Sequence, residues 1–396
     1  MYLAFPNFNL YSMPLLFLVL QGYIFAFLLL KRFFSKKHLP DLFLSLLLFI
    51  TGYHTTTYII GFMDWYDTYQ NTKINYFLID FLLAIGPLVY FYIKSITQPY
   101  FKFRKIDFLH FVPALVFFIY KICIYLYDAQ QPNFDEVQNG WFLSNVHWQY
   151  VSFWLSPLKD ISYLGYSLYA TWLYFKYRKN IIHFFSNTYN VELNWLRTFL
   201  FLFIGLFLFH IIIGITDYSF FENHWKQRWW GHLLGALIML YIGMMGYFSD
   251  FSKLYNLKTQ ISEVLELNQT EPSSIIKSKS KDDLDFDNLK EQISSYMETH
   301  QPFLNPEITL PELAKDLKIN SNQLSQVINN GFGKNFNEFI NFYRVEMVKT
   351  KLQDESLQHL SLLGIALECG FNSKATFNRV FKKLTNQSPS AYQKNL

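Results

Sequence analysis

Seven long apolar segments constrain this chain more than any other feature, because they occupy most of its first 249 residues. Each is about as long as the ~20 residues that an α-helix needs to cross the hydrocarbon of a bilayer. One such segment could be a buried helix of a soluble protein, but seven in series with short polar loops favour a helical membrane bundle. The segments cover residues 10–30, 39–62, 75–96, 108–127, 150–175, 196–216 and 230–249.

The composition divides the chain near residue 250. Residues 1–249 contain 17 Lys and Arg and 12 Asp and Glu, whereas the 147 residues from 250 to 396 contain 17 and 18. Charge density therefore doubles at this point, and the net charge of +4 averages over two different parts. We expect a membrane domain over 1–249 and water-exposed domains after it.

The basic residues of the loops predict the orientation of the bundle. The loops after the first, third and fifth segments contain eleven Lys and Arg, and the alternate loops contain three. Because short loops rich in Lys and Arg stay in the cytoplasm, we expect the N-terminus outside and the C-terminus inside. The first segment lacks a basic region before it, which predicts a retained anchor. The chain is thus expected to be a multi-pass protein of the bacterial inner membrane.

Several ionisable side chains lie within the apolar segments, where a charge is costly. Such side chains usually face the interior of a bundle. They could form a sensing pocket or a polar relay, or they could make packing hydrogen bonds or lie near the interface. These residues are His54, Asp80, Asp160, His210 and His232.

No catalytic or cofactor-binding motif is present in the sequence. The apolar segments lack His-Glu-x-x-His and Gly-x-Ser-x-Gly, and no Walker loop occurs anywhere. The two cysteines, Cys123 and Cys369, cannot form a disulfide framework or a cysteine-based metal site. The sequence therefore predicts no enzyme, no cofactor and no metal.

The connection after the last apolar segment has two parts. Residues 250–268 are polar but carry an apolar seam at heptad spacing, which fits either a dimerising stalk or an amphipathic helix on the membrane. Residues 271–285 are rich in Pro, Ser and mixed charge, as flexible linkers are. We assign residues 250–285 to a stalk helix and a linker.

Helix start signals then predict a short pair of helices. Thr309 and Glu312 form a capping box with proline in the first turn. Asn320, followed three residues later by Gln323, predicts the start of the second helix. Its apolar face would be buried, and its opposite face would present Asn322, Ser325 and Gln326.

The same helix pair recurs further along the chain. Ala366 lies 52 residues after Ala314, and the second turn contains Gly370. Residues 335 to about 352 read as one long helix between the two pairs, a rigid spacer that would let both second helices enter successive major grooves of DNA. The exposed face of the second pair presents Lys374, Thr376, Arg379, Lys382 and Lys383.

This two-unit pattern resembles the AraC/XylS family of transcription regulators over about residues 286–396, with helix-turn-helix units at about 309–330 and 361–384. The motifs that carry the resemblance are Ile365-Ala366, Gly370-Phe371, Ser373, Phe377, Arg379, Phe381-Lys382-Lys383, and Ser388-Pro389 with Tyr392. The resemblance implies double-stranded DNA as the partner. It also implies base-facing positions at Asn322, Ser325 and Gln326 in the first unit and at Lys374, Thr376 and Arg379 in the second.

Two positions depart from the pattern of that family. Asn386 stands where glycine is usual, and asparagine tolerates the left-handed backbone conformation. Gln393 stands where a basic residue is common, which weakens one expected phosphate contact. The first recognition helix has no basic residue, so we expect it to read bases through amide and hydroxyl groups.

The sequence predicts an all-α protein, a seven-helix transmembrane sensor followed by a cytoplasmic tandem helix-turn-helix domain. We interpret it as a one-component regulator in which a small-molecule or membrane signal biases the helices and thereby the DNA-binding units. Its candidate partners are double-stranded DNA, the lipid bilayer, that unknown signal, a second copy of the chain and RNA polymerase. Two other classes stay open: a membrane transporter or enzyme with an autoregulatory DNA-binding tail, and a receptor whose tail binds a protein.

Overall fold

The computed structural model describes residues 5–71, 81–98, 101–132, 135, 138–188, 191–219, 225–249, 282–354 and 359–396. Within these ranges the regular elements are helices, and the strand-like pairings are isolated bridges. The prediction of an all-α fold is therefore confirmed. The chain divides into two compact units. The N-terminal unit is Met1–Phe175 with Asn194–Asp250, and the C-terminal unit is Lys176–Leu193 with Phe251–Leu396.

The N-terminal unit consists mainly of long apolar helices. Three of them begin with a different helical turn: Leu82–Ala84 before α3 and Lys105–Phe111 before α4 are 3-10, and Leu143–Val151 before α5 is a π-helix. The helices are α1 (Ser12–Lys36), α2 (Leu39–Phe62), α3 (Ile85–Thr97), α4 (Val112–Ala129), α5 (Ser152–Ile181), α6 (Asn194–Ser219) and α7 (Trp225–Phe248).

The described residues contain five helices that are long and apolar enough to cross a membrane, so the predicted count of seven is not confirmed. The third predicted segment begins at residue 75, but residues 72–80 lie outside the described ranges and the helical part, Leu82–Thr97, is short. The fifth, α5, is 30 residues long but carries several charged residues, among them Lys159 and Asp160. The five helices are Ser12–Lys36, Leu39–Phe62, Lys105–Ala129, Asn194–Gly214 and Arg228–Phe248.

Helices α1, α2 and α7 pack against one another, α3 packs on α2, and α6 packs on α7. An ion pair fixes one end of the three-helix group, because the guanidinium of Arg32 lies 2.6 Å from Asp41, whose side chain is buried. Arg32 also donates hydrogen bonds to the carbonyl oxygens of Gly246 at 3.0 Å and Tyr247 at 2.6 Å. These carbonyls belong to the last turn of α7, which lacks partners within its own helix. One guanidinium thus joins three helix ends.

The C-terminal unit contains shorter helices, whose start signals are mostly side-chain caps. The predicted stalk and most of the predicted linker, residues 250–281, lie outside the described residues. The first described helix starts at Asp282, so the last residues of the predicted linker are helical. The helices are α8 (Asp282–His300), α9 (Leu310–Asp316), α10 (Ser321–Gln326), α11 (Phe336–Gln353), α12 (Leu362–Glu368), α13 (Lys374–Thr385) and α14 (Pro389–Lys394).

Two hydrophobic cores lie along α11. The first is built from α8, α9, α10 and the N-terminal half of α11, with Phe303, Leu324 and Phe339 almost fully buried. The second is built from the C-terminal half of α11 with α12, α13 and α14, and Phe377 and Phe381 lie at its centre. Because α11 contributes to both cores, it fixes the two helix pairs relative to each other, as the sequence predicted for the long spacer helix.

Candidate functional site

The first helix-turn-helix unit is α9, a turn and α10. At the start of α9 the backbone N–H of Thr309 donates to Glu312 Oε2 at 2.8 Å, which forms the predicted capping box. At the start of α10 the side chain of Asn320 accepts from the backbone N–H of Asn322 at 2.7 Å. Lys318 in the turn has φ of 57°. These contacts set the angle at which the recognition helix α10 leaves the turn.

The second unit is α12, a turn and the longer recognition helix α13. Gly370 in the turn has φ of +89°, a conformation that side chains rarely adopt. A β-carbon at this position would also collide with the carbonyl oxygen of Phe303. Ser373 caps α13 by accepting from the backbone N–H of Thr376 at 3.3 Å. At its far end, Asn386 has φ of 59°, so asparagine here does take the left-handed conformation expected of glycine.

Most of the predicted base-facing side chains lie on the surfaces of the two recognition helices. Ser325 and Thr376 are only partly exposed. The hydroxyl of Thr376 lies 3.1 Å from the hydroxyl of Ser373, so it already has a hydrogen-bond partner at the start of α13. The roles of these residues stay predictions. The exposed members are Asn322, Gln326, Lys374 and Arg379, and the other two candidate DNA-binding residues of α13, Lys382 and Lys383, are also exposed.

The basic residues of α13 differ in their surroundings. Lys383 Nζ lies 2.7 Å from Glu338 Oε1 on α11, and this contact lowers the pKa of the Glu338 carboxyl. Among the described residues, Lys374, Arg379 and Lys382 make no ion pair. Three cations on this helix therefore keep their charge available for a polyanion such as DNA.

Arg344 is a buried cation that sequence analysis missed. It lies on α11, is 2% exposed, and donates to the carbonyl oxygens of Phe303 and Asn305, each at 2.8 Å. Burial lowers the pKa of its guanidinium to about 10, so it remains charged at neutral pH. Its position four residues after Ile340 and four before Val348 puts it on the buried face of the helix. That spacing is the signal that could have found it.

A segment from far away in the sequence also belongs to the C-terminal unit. Residues 181–188, which we call the strap, connect the end of α5 toward α6 and lie against α9 and α11. The sequence places them only in a loop between two apolar segments. No local signal reveals that their partners lie more than a hundred residues later.

The N-terminal unit contains a cavity of about 900 Å³ between α2, α5, α6 and α7. Four of the ionisable residues singled out in the apolar segments line it together. The fifth, Asp80, lies outside the described residues. The four that the structure brings together are His54, Asp160, His210 and His232.

The polar groups of the cavity are close neighbours. The rings of Tyr58 and His232 have centroids 3.5 Å apart, and those of His210 and His232 are 6.3 Å apart. His210 Nδ1 lies 2.8 Å from the carbonyl oxygen of Leu206 and must donate, because a carbonyl only accepts. A β-carbon on Gly231 would lie 3.1 Å from His210 Nε2, so glycine leaves room for this ring.

Cationic and apolar groups complete the wall of the cavity. Among the described lining residues, Lys159 and Arg228 contribute positive charge and Asp160 contributes a carboxylate. No group of three or more His, Cys, Asp or Glu in the described part of the chain is arranged to hold a metal ion. The described lining thus combines two cations, three imidazoles and a carboxylate with a larger apolar surface. The apolar part includes Leu82, Ile85, Phe203, Leu206, Phe207 and Met239.

Comparison with known proteins agrees with the geometry of the C-terminal unit. Residues 313–395 match a family described as a helix-turn-helix domain, of the AraC type. The chain therefore carries an AraC-type helix-turn-helix domain near its C-terminus. No solved structure matches the chain at a significant level.

The curated relatives are similar to this chain over the same region. The uncharacterized HTH-type transcriptional regulators SACOL0084 of Staphylococcus aureus (strain COL) and SA0097 of Staphylococcus aureus (strain N315) are each 33% identical over 104 residues, 26% of this chain and 13% of theirs. The uncharacterized regulator YtdP of Bacillus subtilis (strain 168) is 32% identical over 87 residues, 22% of this chain and 11% of its own. The chain thus spans only a small share of these relatives.

Proposed function

We propose that this chain is a membrane-embedded, one-component transcription regulator that binds specific DNA sequences through its two helix-turn-helix units. The observation that carries the proposal is the pair of recognition helices, α10 and α13, held by separate cores along the single helix α11. Each presents an exposed polar face, and such a pair fits successive major grooves of one duplex. The relatives named as HTH-type transcriptional regulators support the DNA-binding part of the proposal.

The two units would contribute differently to binding. Helix α10 presents amide and hydroxyl groups, which can pair with base edges but do not attract phosphate strongly. Helix α13 presents Lys374, Arg379 and Lys382 without ion-pair partners among the described residues, so it would supply most of the electrostatic attraction. We therefore propose that the second unit supplies most of the salt-dependent affinity for DNA. Both units would recognise the base sequence.

The N-terminal unit would cross the inner membrane seven times, with the N-terminus outside and the DNA-binding unit in the cytoplasm. Five helices of spanning length and composition support this proposal, together with the basic residues of alternate loops. Helix α5 and the segment that includes α3 would supply the other two crossings. Charged residues such as Lys159 and Asp160 are tolerated in a span that turns them toward a cavity.

The cavity between α2, α5, α6 and α7 would bind the signal. Its two cations can donate to an anionic group, and its apolar wall can hold a hydrocarbon body. We therefore propose an amphipathic anion, such as an organic carboxylate, as the ligand class. A ligand can shift the helices only if it binds one of their arrangements more tightly than another. Homodimerisation and contact with RNA polymerase stay predictions.

The cavity also favours a second candidate function, that of a transporter whose tail regulates its own gene. A solute-binding cavity near the middle of a helical bundle is what such a protein needs. Uptake of a labelled organic anion by vesicles that contain the full chain would support it. A regulator without transport activity would bind the anion but would not accumulate it inside the vesicles.

Genomic occupancy of the full-length chain in its host tests the main proposal. We expect the chain to stay in the membrane fraction after an alkaline wash and to crosslink to discrete sites with two half-sites about one helical turn apart. The matched control is the double variant Lys374→Ala/Arg379→Ala, which should remain in the membrane but lose these sites. If the parent and the double variant give the same diffuse pattern, the tail does not bind specific DNA.

A further inference from the structure

We propose that the strap, residues 181–188, is the element through which the membrane helices control the DNA-binding unit. In its docked position it would hold the two helix-turn-helix units in the arrangement that binds DNA, and its displacement would weaken binding. The inference rests on the proposed function, but it concerns a different part of the chain from either the recognition helices or the cavity.

The strap caps two helices of the C-terminal unit. The carbonyl oxygen of Phe184 accepts from the backbone N–H of Leu310, the first residue of α9, at 2.9 Å. The carbonyl oxygen of Ile182 accepts from the backbone N–H of Asn337, the second residue of α11, at 3.1 Å. The first N–H groups of a helix have no partner within it and carry partial positive charge. The strap therefore supplies two contacts that these helices otherwise lack.

A short antiparallel pairing anchors the middle of the strap. Phe185 and Thr309 form an isolated antiparallel bridge, flanked by the bond from Leu310 to Phe184 and by one from the N–H of Ser186 to the carbonyl of Ile308 at 3.3 Å. Thr309 is also the capping residue of α9. The position of the first helix-turn-helix unit is thus tied directly to the strap backbone.

Side chains of α11 hold the other edge of the strap. Asn337 Nδ2 donates to the carbonyl oxygens of Ser186 at 2.7 Å and Phe185 at 3.3 Å. Arg344 donates to the Ser186 hydroxyl at 3.3 Å, and its guanidinium lies 5.9 Å from the centre of the Phe371 ring in the second unit. Through Arg344 the strap is connected to both helix-turn-helix units.

Contacts between the residues that flank the strap on either side hold its shape. Arg178 and Glu192 form an ion pair at 2.9 Å, and the Tyr177 hydroxyl donates to the carbonyl of Val191 at 2.6 Å. Ile181, Phe185 and Val191 bury one another in a small cluster. A preformed segment of this kind can move as one body, because it does not have to fold again each time it docks.

The ends of the strap are covalently connected to the proposed membrane helices. Helix α5 ends at Ile181, where the strap begins, and α6 starts at Asn194, shortly after it. Both helices also line the cavity. A change in their separation or tilt must therefore be taken up by the strap, whose contacts with α9 and α11 are discrete and can be made or broken.

The strap leaves the DNA-reading surfaces uncovered. Its hydrogen bonds go to the starts of α9 and α11 and to Arg344, whereas Lys374 and Arg379 on α13 are exposed. A docked strap therefore does not block DNA. It orders the helices that position the recognition helices, which is the reason for assigning the docked state to the binding-competent form.

A reversible disulfide tests this proposal in the full chain. The flanking hydrogen bonds make Phe185 and Thr309 a non-hydrogen-bonded antiparallel pair, whose Cα atoms are about 4.5 Å apart, within the range that a disulfide bridges. The protein would be Phe185→Cys/Thr309→Cys in a Cys123→Ser background, reconstituted in lipid nanodiscs. Operator affinity is measured before and after oxidation of the same sample. Because the helix cap of Thr309 is missing in both states, its loss does not affect the comparison.

We expect the disulfide to form readily and the oxidised protein to bind its operator at least as tightly as the reduced one. Asn337→Ala should weaken operator binding about fivefold or more, and oxidation of the same cysteine pair in that background should restore it. Glu346→Gln, an exposed position on the same helix, is the matched control and should leave affinity unchanged.

Three results would overturn the proposal. The first is that the cysteine pair forms no disulfide under mild oxidation. The second is that reduction of the disulfide tightens operator binding. The third is that the Asn337→Ala variant binds the operator as tightly as the parent does. Failure of the parent to bind any duplex specifically would instead refute the proposed function. Disulfide yield does not depend on DNA, so the two failures can be told apart.

Discussion

Arg344 donates a hydrogen bond to the hydroxyl of Ser186, 3.3 Å away in space and 158 residues earlier in the chain. The same guanidinium donates to two carbonyl oxygens of the loop before α9. One buried cation therefore holds together the strap, the first helix-turn-helix unit and the helix that joins it to the second. The buried carbonyl oxygen of Phe303 and the buried hydroxyl of Ser186 both depend on this side chain.

We expect Arg344→Met to lower the free energy of opening of the C-terminal unit by about 3 kcal/mol, because it takes away the hydrogen bonds that the buried carbonyl oxygen of Phe303 and the buried hydroxyl of Ser186 make with the guanidinium. Hydrogen exchange of the α11 amides in the full chain measures this quantity. Lys349→Met on the same helix is the control and should stay within about 0.5 kcal/mol of the parent. Equal protection in both variants would contradict a central role for Arg344.

Arg379→Ala should weaken specific operator binding by about 1–3 kcal/mol, if this arginine contacts a guanine edge in the major groove. A gel-shift titration with the operator and with a scrambled duplex separates the specific loss from a general one. Lys394→Ala removes a positive charge from the last helix and serves as the control. Unchanged operator affinity for Arg379→Ala would remove this residue from the base-reading set.

Gly370→Ala should destabilise the C-terminal unit by about 3 kcal/mol, because it combines a strained φ with a collision against the Phe303 carbonyl. Gly333 is the matched control, since its φ is +62° but no atom would meet its β-carbon within 4 Å. Gly333→Ala should therefore cost only about 1 kcal/mol. Similar losses for both would mean that the turn at 370 relaxes around a methyl group.

A fluorescent amphipathic anion, dansyl-undecanoate, should bind the full chain in nanodiscs more tightly than its uncharged methyl ester does. Lys159→Gln or Arg228→Gln should weaken binding of the acid about tenfold by removing a charged donor. Lys121→Gln is the control, because Lys121 lies near His147 and does not line the cavity. Equal affinity for acid and ester would exclude the anionic ligand class.

Burial raises the pKa of the Cys369 thiol to about 11 from its ordinary value of 9.0. A raised pKa in the folded protein means that the unfolded chain loses this proton first as pH increases. The stability that the thiol contributes is therefore complete below about pH 9 and is lost as pH rises toward 11. Unfolding of the C-terminal unit measured from pH 8 to 10.5 should show this loss in the parent and less of it in Cys369→Ala.

The helix-turn-helix units could be predicted from sequence because their determinants are local. Thr309, Asn320 and Ser373 begin their helices within three residues of the groups they cap, so the signals lie side by side in the chain. The long helix α11 was equally visible from its apolar periodicity. Backbone sterics alone predict that Asn386 tolerates the left-handed conformation, and its φ of 59° lies in that region.

The strap and the cavity could not be predicted, because both depend on contacts between distant segments. Each cavity residue was noticeable as a polar group in an apolar segment, but only the packing of α2, α5, α6 and α7 shows that four of them meet. Residues 181–188 carry no motif, and main-chain atoms make most of their contacts with the C-terminal unit. Main-chain hydrogen bonds leave little trace in a sequence.

The strap makes the C-terminal unit a discontinuous domain in the gene. A fusion or recombination that moves only residues 282–396 to another protein would leave behind the carbonyl groups that cap α9 and α11, and the hydroxyl that Arg344 contacts. A new host protein would have to supply equivalent groups from its own surface. The helix-turn-helix part of this chain therefore depends on groups outside its own sequence, and we expect it to be inherited together with helices α5 and α6 on either side of the strap.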